Sequence, residues 1–132
     1  MPDPTRERLT GLRNGLLKLH KSLMDSERAL YERDVQRITS TGQYLGLVMN
    51  DPWFAWLREL SQFIVMIDET LDLDEPPTPT DADRLIAQAR TLLSPAEGSS
   101  GFGGKYYELM QRDPVAVLAH RDMMLVFGTL AA

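Results

Sequence analysis

The amino-acid sequence predicts an all-α protein, an up-and-down bundle of four main helices with two short helices. The first observation is a stretch from Asp51 to Leu73 in which apolar residues recur at the three- and four-residue spacing of a helix. The second is the same spacing of leucines between Pro4 and Asp34. The third is an aspartate followed by a proline at Asp51-Pro52 and at Asp113-Pro114, which is typical of a helix N-terminus.

Length and composition indicate one domain, residues 1–132, and narrow the range of partners. A chain of 132 residues that is 43% hydrophobic and 25% charged has enough apolar material for a single core. The net charge is -5 and the basic residues are scattered, which argues against nucleic acid and against an anionic membrane. The absence of cysteine excludes disulfides and thiolate chemistry. No stretch has the apolar length of a secretory signal or a membrane span, so we expect a cytoplasmic protein.

Helix signals divide the first half of the chain into three elements. The first helix is predicted to run from Pro4 to Asp34. Ser40 begins a Ser-x-x-Gln capping-box pattern, which predicts a short helix from Thr41 to Met49. The central helix, Asp51 to Leu73, follows with one broad apolar face and a polar opposite face. We expect the core to assemble against that apolar face, which consists of Trp53, Trp56, Leu57, Leu60, Phe63, Ile64, Ile67 and Leu71.

Prolines and glycines mark the boundaries in the second half. Three prolines between Pro76 and Pro79 predict an extended connector, after which Thr80 is expected to cap a helix that ends at Ser94-Pro95. The segment from Ala96 to Gly104 holds four glycines and two serines, so we expect it to be mobile. Another short helix is predicted from Lys105 to Arg112.

The last predicted helix, either a new helix or a kinked continuation of the one before it, runs from Pro114 to about Leu130 and carries apolar residues on every side. Such a helix lies at the centre of a protein or is covered by a second subunit. We therefore expect self-association through this helix, with an interface that contains Met123, Met124, Val126 and Phe127.

The aromatic residues Trp53, Phe54 and Trp56 admit three interpretations. Packing in the core is the commonest fate of such residues at helical spacing. They also suit an apolar pocket for a ligand or, together with the C-terminal helix, a dimer interface.

A stripe of polar residues follows the apolar face of the first helix. His20, Glu27 and Tyr31 continue the line of buried leucines, and a buried carboxylate or imidazole without a partner is costly. Asp68 and His120 are the expected partners from other helices, and we expect His20, Glu27 and Asp68 to form one connected cluster. The cluster is either an interior metal or small-ligand site or a structural network of hydrogen bonds and salt bridges. Because the Glu-x-x-His spacing of di-iron bundles is absent, no metal is assigned and no cofactor is predicted.

Several short stretches together resemble a family of small bacterial all-helical proteins that are themselves uncharacterised. The stretches are Leu19-His20-Lys21, Glu27-Arg28, Tyr31-Glu32, Asp51 to Arg58, Asp68-Glu69 and Asp113-Pro114. The resemblance implies a bacterial, cytoplasmic origin. Because the family has no assigned catalytic or binding residues, no site is carried over from it.

No catalytic signature is present, since Ser22, Ser26 and Ser61 lack the context of a nucleophile elbow. The sequence therefore favours a non-enzymatic protein that acts through self-association or through another protein. The alternative is a metal- or small-ligand-binding bundle that uses the polar stripe. A third possibility is an enzyme with carboxylate acid-base chemistry at the same place.

Overall fold

The computed structural model describes residues 3–130, and all regular secondary structure in that range is helical. This confirms the all-α prediction; residues 1–2 and 131–132 of the predicted domain lie outside the described range. Six α-helices and one 3₁₀ helix follow one another along the described residues. They are α1 (Pro4–Asp34), α2 (Thr41–Asn50), the 3₁₀ helix (Pro52–Leu57), α3 (Arg58–Asp72), α4 (Pro79–Leu92), α5 (Phe102–Arg112) and α6 (Pro114–Leu130).

Helix α1 is the axis of the fold, and its leucine stripe is buried along most of its length. Leu9, Leu12, Leu16, Leu19 and Leu23 are all at most 1% exposed. Asp3 caps the helix by accepting a hydrogen bond from the backbone N–H of Thr5. The burial of these leucines is the main apolar contribution to the packing of the neighbouring helices against α1.

Helix α3 runs antiparallel to α1. Near the start of α1, Arg6 donates to the carbonyl oxygen of Leu71 at the end of α3. Further along α1, His20 contacts Ser61 in the first turn of α3. The two contacts fix both the direction and the register of the pair.

Helix α6 also runs antiparallel to α1, and glycines allow the two helices to approach closely. A Cβ atom at Gly11 would lie 3.1 Å from Leu130, and one at Gly15 would lie 3.0 Å from the Met123 sulfur. Arg8 donates from Nε to the carbonyl oxygen of Leu130, which ties the end of α6 to the start of α1.

The start of the predicted central helix differs from the prediction, because residues 52–57 form a 3₁₀ helix and the α-helix begins only at Arg58. The capping role of Asp51 is confirmed, since its carboxylate accepts from the Trp53 N–H at 2.8 Å. With three residues per turn, positions three apart point in the same direction. Phe54 and Leu57 therefore face the core together.

Two other helix starts were placed too late by the sequence. Helix α4 begins at Pro79, and Thr78 caps it through a capping box with Asp81, so the prediction of Thr80 as the cap was wrong. Helix α5 begins at Phe102 rather than Lys105. Phe102 is 4% exposed and belongs to the core.

Three glycines of the segment 96–104 are required by the local backbone conformation or by a close contact. Gly98 and Gly101 have φ values of +73° and +91°, which other residues rarely adopt. A Cβ atom at Gly104 would lie 1.8 Å from the carbonyl oxygen of Ser99. The expected mobility is thus corrected for residues 102–104, which are helical, and stays a prediction for residues 96–101.

Helix α6 is buried on one face and exposed on the other. Met123 and Phe127 are 2% and 1% exposed in the chain's own core. The prediction that they contact a second chain is therefore corrected: their side chains are already covered by α1 and α4. Met124 and Val126 are partly buried. The exposed face of α6 instead presents other apolar residues, Val115, Val117, Leu118 and Leu125.

Candidate functional site

The polar stripe of α1 does not form the single cluster that the sequence predicted. His20 contacts Ser61, whereas Glu27 pairs with Arg112 of α5. Asp68 pairs with Arg13 at 3.2 Å. His20 and Glu27 are about 10 Å apart along the helix axis, so a different neighbouring helix meets each of them. Within residues 3–130, no three His, Asp or Glu side chains come together in a way that could hold a metal ion.

The His20–Ser61 pair joins the residue types of a nucleophile and its base. His20 Nε2 lies 2.7 Å from the Ser61 hydroxyl, and the direction of this hydrogen bond depends on the tautomer of the imidazole. The same hydroxyl lies 3.2 Å from the carbonyl oxygen of Leu57, one turn earlier in the chain. Burial lowers the pKa of His20, which favours the neutral imidazole. The contact joins α1 to α3.

His120 pairs with a tyrosine that the sequence analysis did not single out. The hydroxyl of Tyr106, a fully buried residue, is hydrogen-bonded to His120 Nδ1 at 2.7 Å. Burial raises the pKa of Tyr106 and lowers the pKa of His120. The signal that points to Tyr106 is its spacing of four residues from Phe102 and three from Leu109, which together form the buried face of α5.

Tyr31 is a core residue that supports one of the tryptophans. It is 3% exposed, and its ring meets that of Trp53 edge to face at a centroid distance of 5.6 Å. Gln36 donates to its hydroxyl at 3.1 Å. Tyr31 therefore supports Trp53 from the core side, and Trp53 lines the cleft that is described next.

A cleft of about 410 Å³ lies between α1, the 3₁₀ helix and α5, and we term it the tryptophan cleft. Trp53 and Trp56, three residues apart on the 3₁₀ helix, both line it. The Glu27–Arg112 pair lines it from α1 and α5. The full lining is Glu27, Leu30, Pro52, Trp53, Ala55, Trp56, Gly101, Lys105, Glu108 and Arg112.

Neighbouring rings hold both tryptophans in place. The ring of Trp56 lies 5.1 Å from that of Phe102, and Phe102 lies 5.4 Å from Tyr106. Trp53 packs on Tyr31, and its indole Nε1 is buried without a hydrogen-bond partner among residues 3–130. The cleft therefore has a supported aromatic wall.

The charges of the cleft balance. Glu27 is 5% exposed, and its carboxylate accepts from Arg112 Nη2, which links the C-terminal third of α1 to the end of α5. Lys105 and Glu108 lie 3.8 Å apart with both side chains more than half exposed. Sequence reasoning identified Glu27 but missed its partner Arg112, because helical periodicity does not reveal which distant side chain meets a buried carboxylate.

A second notable surface is the outer face of α2, which consists of Gly42, Leu45, Gly46 and Met49. None of the ten residues of α2 is charged, and none is fully buried. Leu45 is 55% exposed and Met49 is 69% exposed. A Cβ atom at either glycine would meet nothing within 4 Å.

The opposite side of α2 is fixed to the rest of the molecule. Tyr44, Leu47 and Val48 pack against the core. The Arg28 guanidinium lies 4.5 Å above the Tyr44 ring, and Arg58 donates from Nε to the carbonyl oxygen of Val48. The outer face is thus presented on a supported helix.

The fold and these two surfaces define an all-helical protein with an aromatic-lined cleft and an uncharged exposed helix. No protein-family model, curated protein or solved structure matches the chain. Among residues 3–130, none of the helices combines the length and the apolar character that crossing a membrane requires.

Proposed function

We propose that this is a non-enzymatic helical protein that acts through self-association, and that the outer face of α2 is the contact between two copies. The observation that carries the proposal is the composition of this face. It has two large exposed apolar side chains, two glycines and no charge, in a chain that is 25% charged. Exposed apolar side chains that adjoin one another without a charge among them favour a contact of this kind.

The order of residues on the outer face of α2 makes it complementary to itself. Positions 42, 45, 46 and 49 are symmetric about the midpoint between Leu45 and Gly46. If two copies of α2 pack antiparallel about a twofold axis at that point, Gly42 lies opposite Met49 and Leu45 lies opposite Gly46. Each glycine then receives a large side chain from the partner. A twofold interface of this type uses the same surface on both copies.

The dipoles of the two helices also favour a second copy as the partner at this face. Antiparallel helices place opposite ends of their dipoles side by side, and α2 has no charged side chain to oppose another copy of itself. The whole chains repel each other weakly, because each carries a net charge of -5. Added salt screens this repulsion, so we expect association to strengthen with ionic strength.

The interface is small, which sets the expected strength. A pair of ten-residue helices buries less than the roughly 1,200 Å² typical of stable complexes. We therefore expect a weak dimer whose population depends on protein concentration.

Sedimentation velocity over a range of protein concentrations tests the proposal. The variant Leu45→Glu places a charge at the centre of the contact and is expected to sediment as a monomer. The matched control is Leu125→Glu, which changes a residue of the same type that is 62% exposed on α6 and should associate like the wild type. A wild type that stays monomeric at every concentration contradicts the proposal. Loss of association only in Leu125→Glu moves the interface to α6.

Three further expectations belong with this proposal. The antiparallel pairs α1–α3 and α1–α6 support an up-and-down arrangement of the four main helices. A cytoplasmic location and kinship with the bacterial family that the sequence resembles stay predictions.

A further inference from the structure

We infer that the tryptophan cleft binds a small molecule that carries both a planar aromatic ring and a carboxylate. This site is separate from the outer face of α2 and does not depend on self-association. The inference stands on the aromatic wall, on the available cationic donors and on the size of the cleft.

The aromatic wall suits a flat ring. Trp53 and Trp56 point to the same side because they are three residues apart in a 3₁₀ helix. Tyr31 and Phe102 pack against these two rings, so little ordering of the wall is needed when a ligand enters. The volume of about 410 Å³ is within the range of small-molecule sites.

The carboxylate is expected at Lys105, with Arg112 as a second donor. The Lys105 side chain is 58% exposed, and the only ion pair it makes among residues 3–130 is the long contact to Glu108 at 3.8 Å. Arg112 is 36% exposed and uses Nη2 for Glu27, so its remaining N–H groups are available. The negative charge of Glu27 is already balanced by Arg112.

A phosphate group fits less well than a carboxylate. The cleft contains the carboxylates of Glu27 and Glu108. These carboxylates repel a doubly charged group more strongly than a singly charged one.

Intrinsic fluorescence provides a direct readout, because Trp53 and Trp56 are the only two tryptophans of the chain. Excitation at the red edge of the indole band avoids the ligands used here. The probes are hydrocinnamate, its neutral analogue hydrocinnamyl alcohol, phenylalanine and inorganic phosphate. We expect hydrocinnamate to change the emission and to bind about tenfold more tightly than the alcohol.

Variants assign each part of the site. Lys105→Met is expected to weaken hydrocinnamate binding about tenfold and to leave the alcohol unchanged. The control Lys18→Met removes an exposed lysine of α1 outside the cleft and should change neither. Trp56→Leu is expected to weaken both ligands. Circular dichroism of each variant verifies that the fold is retained.

The outcomes separate clearly. Binding of either hydrocinnamate or phenylalanine that requires Lys105 supports the inference, and the tighter of the two tells whether the natural ligand is a free acid or an amino acid. Equal affinity for hydrocinnamate and the alcohol, insensitivity to Lys105→Met, or a response to phosphate alone overturns it. The same titration in Leu45→Glu should give the wild-type result, so failure of this inference is distinguishable from failure of the proposed self-association.

Discussion

Arg112 at the end of α5 donates from Nη2 to the buried carboxylate of Glu27 in the C-terminal third of α1. The two residues are 85 positions apart in the chain, so their ion pair fastens α5 to the axis of the fold. It also forms part of the lining of the tryptophan cleft. The buried carboxylate of Glu27 destabilises the fold if Arg112 is removed. The guanidinium of Arg112 is less buried, so its loss of Glu27 destabilises the fold to a smaller degree.

The first prediction is that Glu27→Ala lowers the free energy of unfolding by about 1–3 kcal/mol, because Arg112 loses its hydrogen-bonded partner. Urea denaturation measures the change. The control is Glu32→Ala, which breaks the more exposed pair of Glu32 with Arg28 on the same helix and should cost less than about 1 kcal/mol. Equal losses in the two variants would show that the Glu27–Arg112 pair is no more than a surface contact.

The second prediction concerns pH. Burial lowers the pKa of His20 and of His120 below the ordinary value of 6.5, so the unfolded chain binds protons more readily than the folded chain. The stability that depends on these neutral imidazoles is complete above pH 6.5 and is lost as the pH falls through the two lowered pKa values. Protonation of His120 also leaves Nδ1 able only to donate in its hydrogen bond with the Tyr106 hydroxyl.

Melting temperature measured from about pH 7.5 to about pH 5 tests this dependence. The double variant His20→Gln, His120→Gln lacks both imidazoles, so its melting temperature should vary less over the same range. A wild type and a double variant with parallel curves would mean that carboxylates, rather than these imidazoles, set the pH dependence.

The third prediction separates the structural and the associative roles of Gly46. Alanine there meets nothing within 4 Å, so Gly46→Ala should stabilise the single chain by about 0.5–1 kcal/mol through helix propensity. The same methyl group occupies the groove that receives the partner's Leu45, so self-association should weaken. Chemical denaturation and sedimentation measure the two effects separately.

Gly128→Ala is the matched control, because this glycine is also exposed, helical and free of neighbours within 4 Å. It should stabilise the chain without a change in association. If both glycine variants associate like the wild type, the outer face of α2 is not the contact.

Helical periodicity was sufficient to predict the long elements, and local ambiguity limited the rest. The leucines of α1 and the apolar residues of α3 repeat over many turns, so their faces are unambiguous. Over the six residues of the 3₁₀ helix, a spacing of three fits both 3₁₀ and α geometry. Thr78 and Thr80 each precede an aspartate by three residues, and Pro79 at the first helical position favours Thr78.

The candidate site was predicted only in part, for a related reason. The stripe on α1 correctly indicated that Glu27 is buried and needs a partner. The partner comes from α5, and sequence spacing within α1 contains no information about which helix packs at that level. Likewise, the apolar residues of α6 did not reveal that Met123 and Phe127 face the core while Leu118 and Leu125 face outward.

Cross-linking through single cysteines tests the central proposal most directly, because the chain has no cysteine of its own. The variants Gly42→Cys and Met49→Cys are mixed and oxidised. An antiparallel twofold contact brings position 42 of one copy beside position 49 of the other, within the reach of a disulfide. Like positions are separated by about 10 Å along the helix axis. We predict disulfide-linked dimers in the mixture and few in either variant alone; efficient dimers of one variant alone, or none in the mixture, would contradict self-association through the outer face of α2.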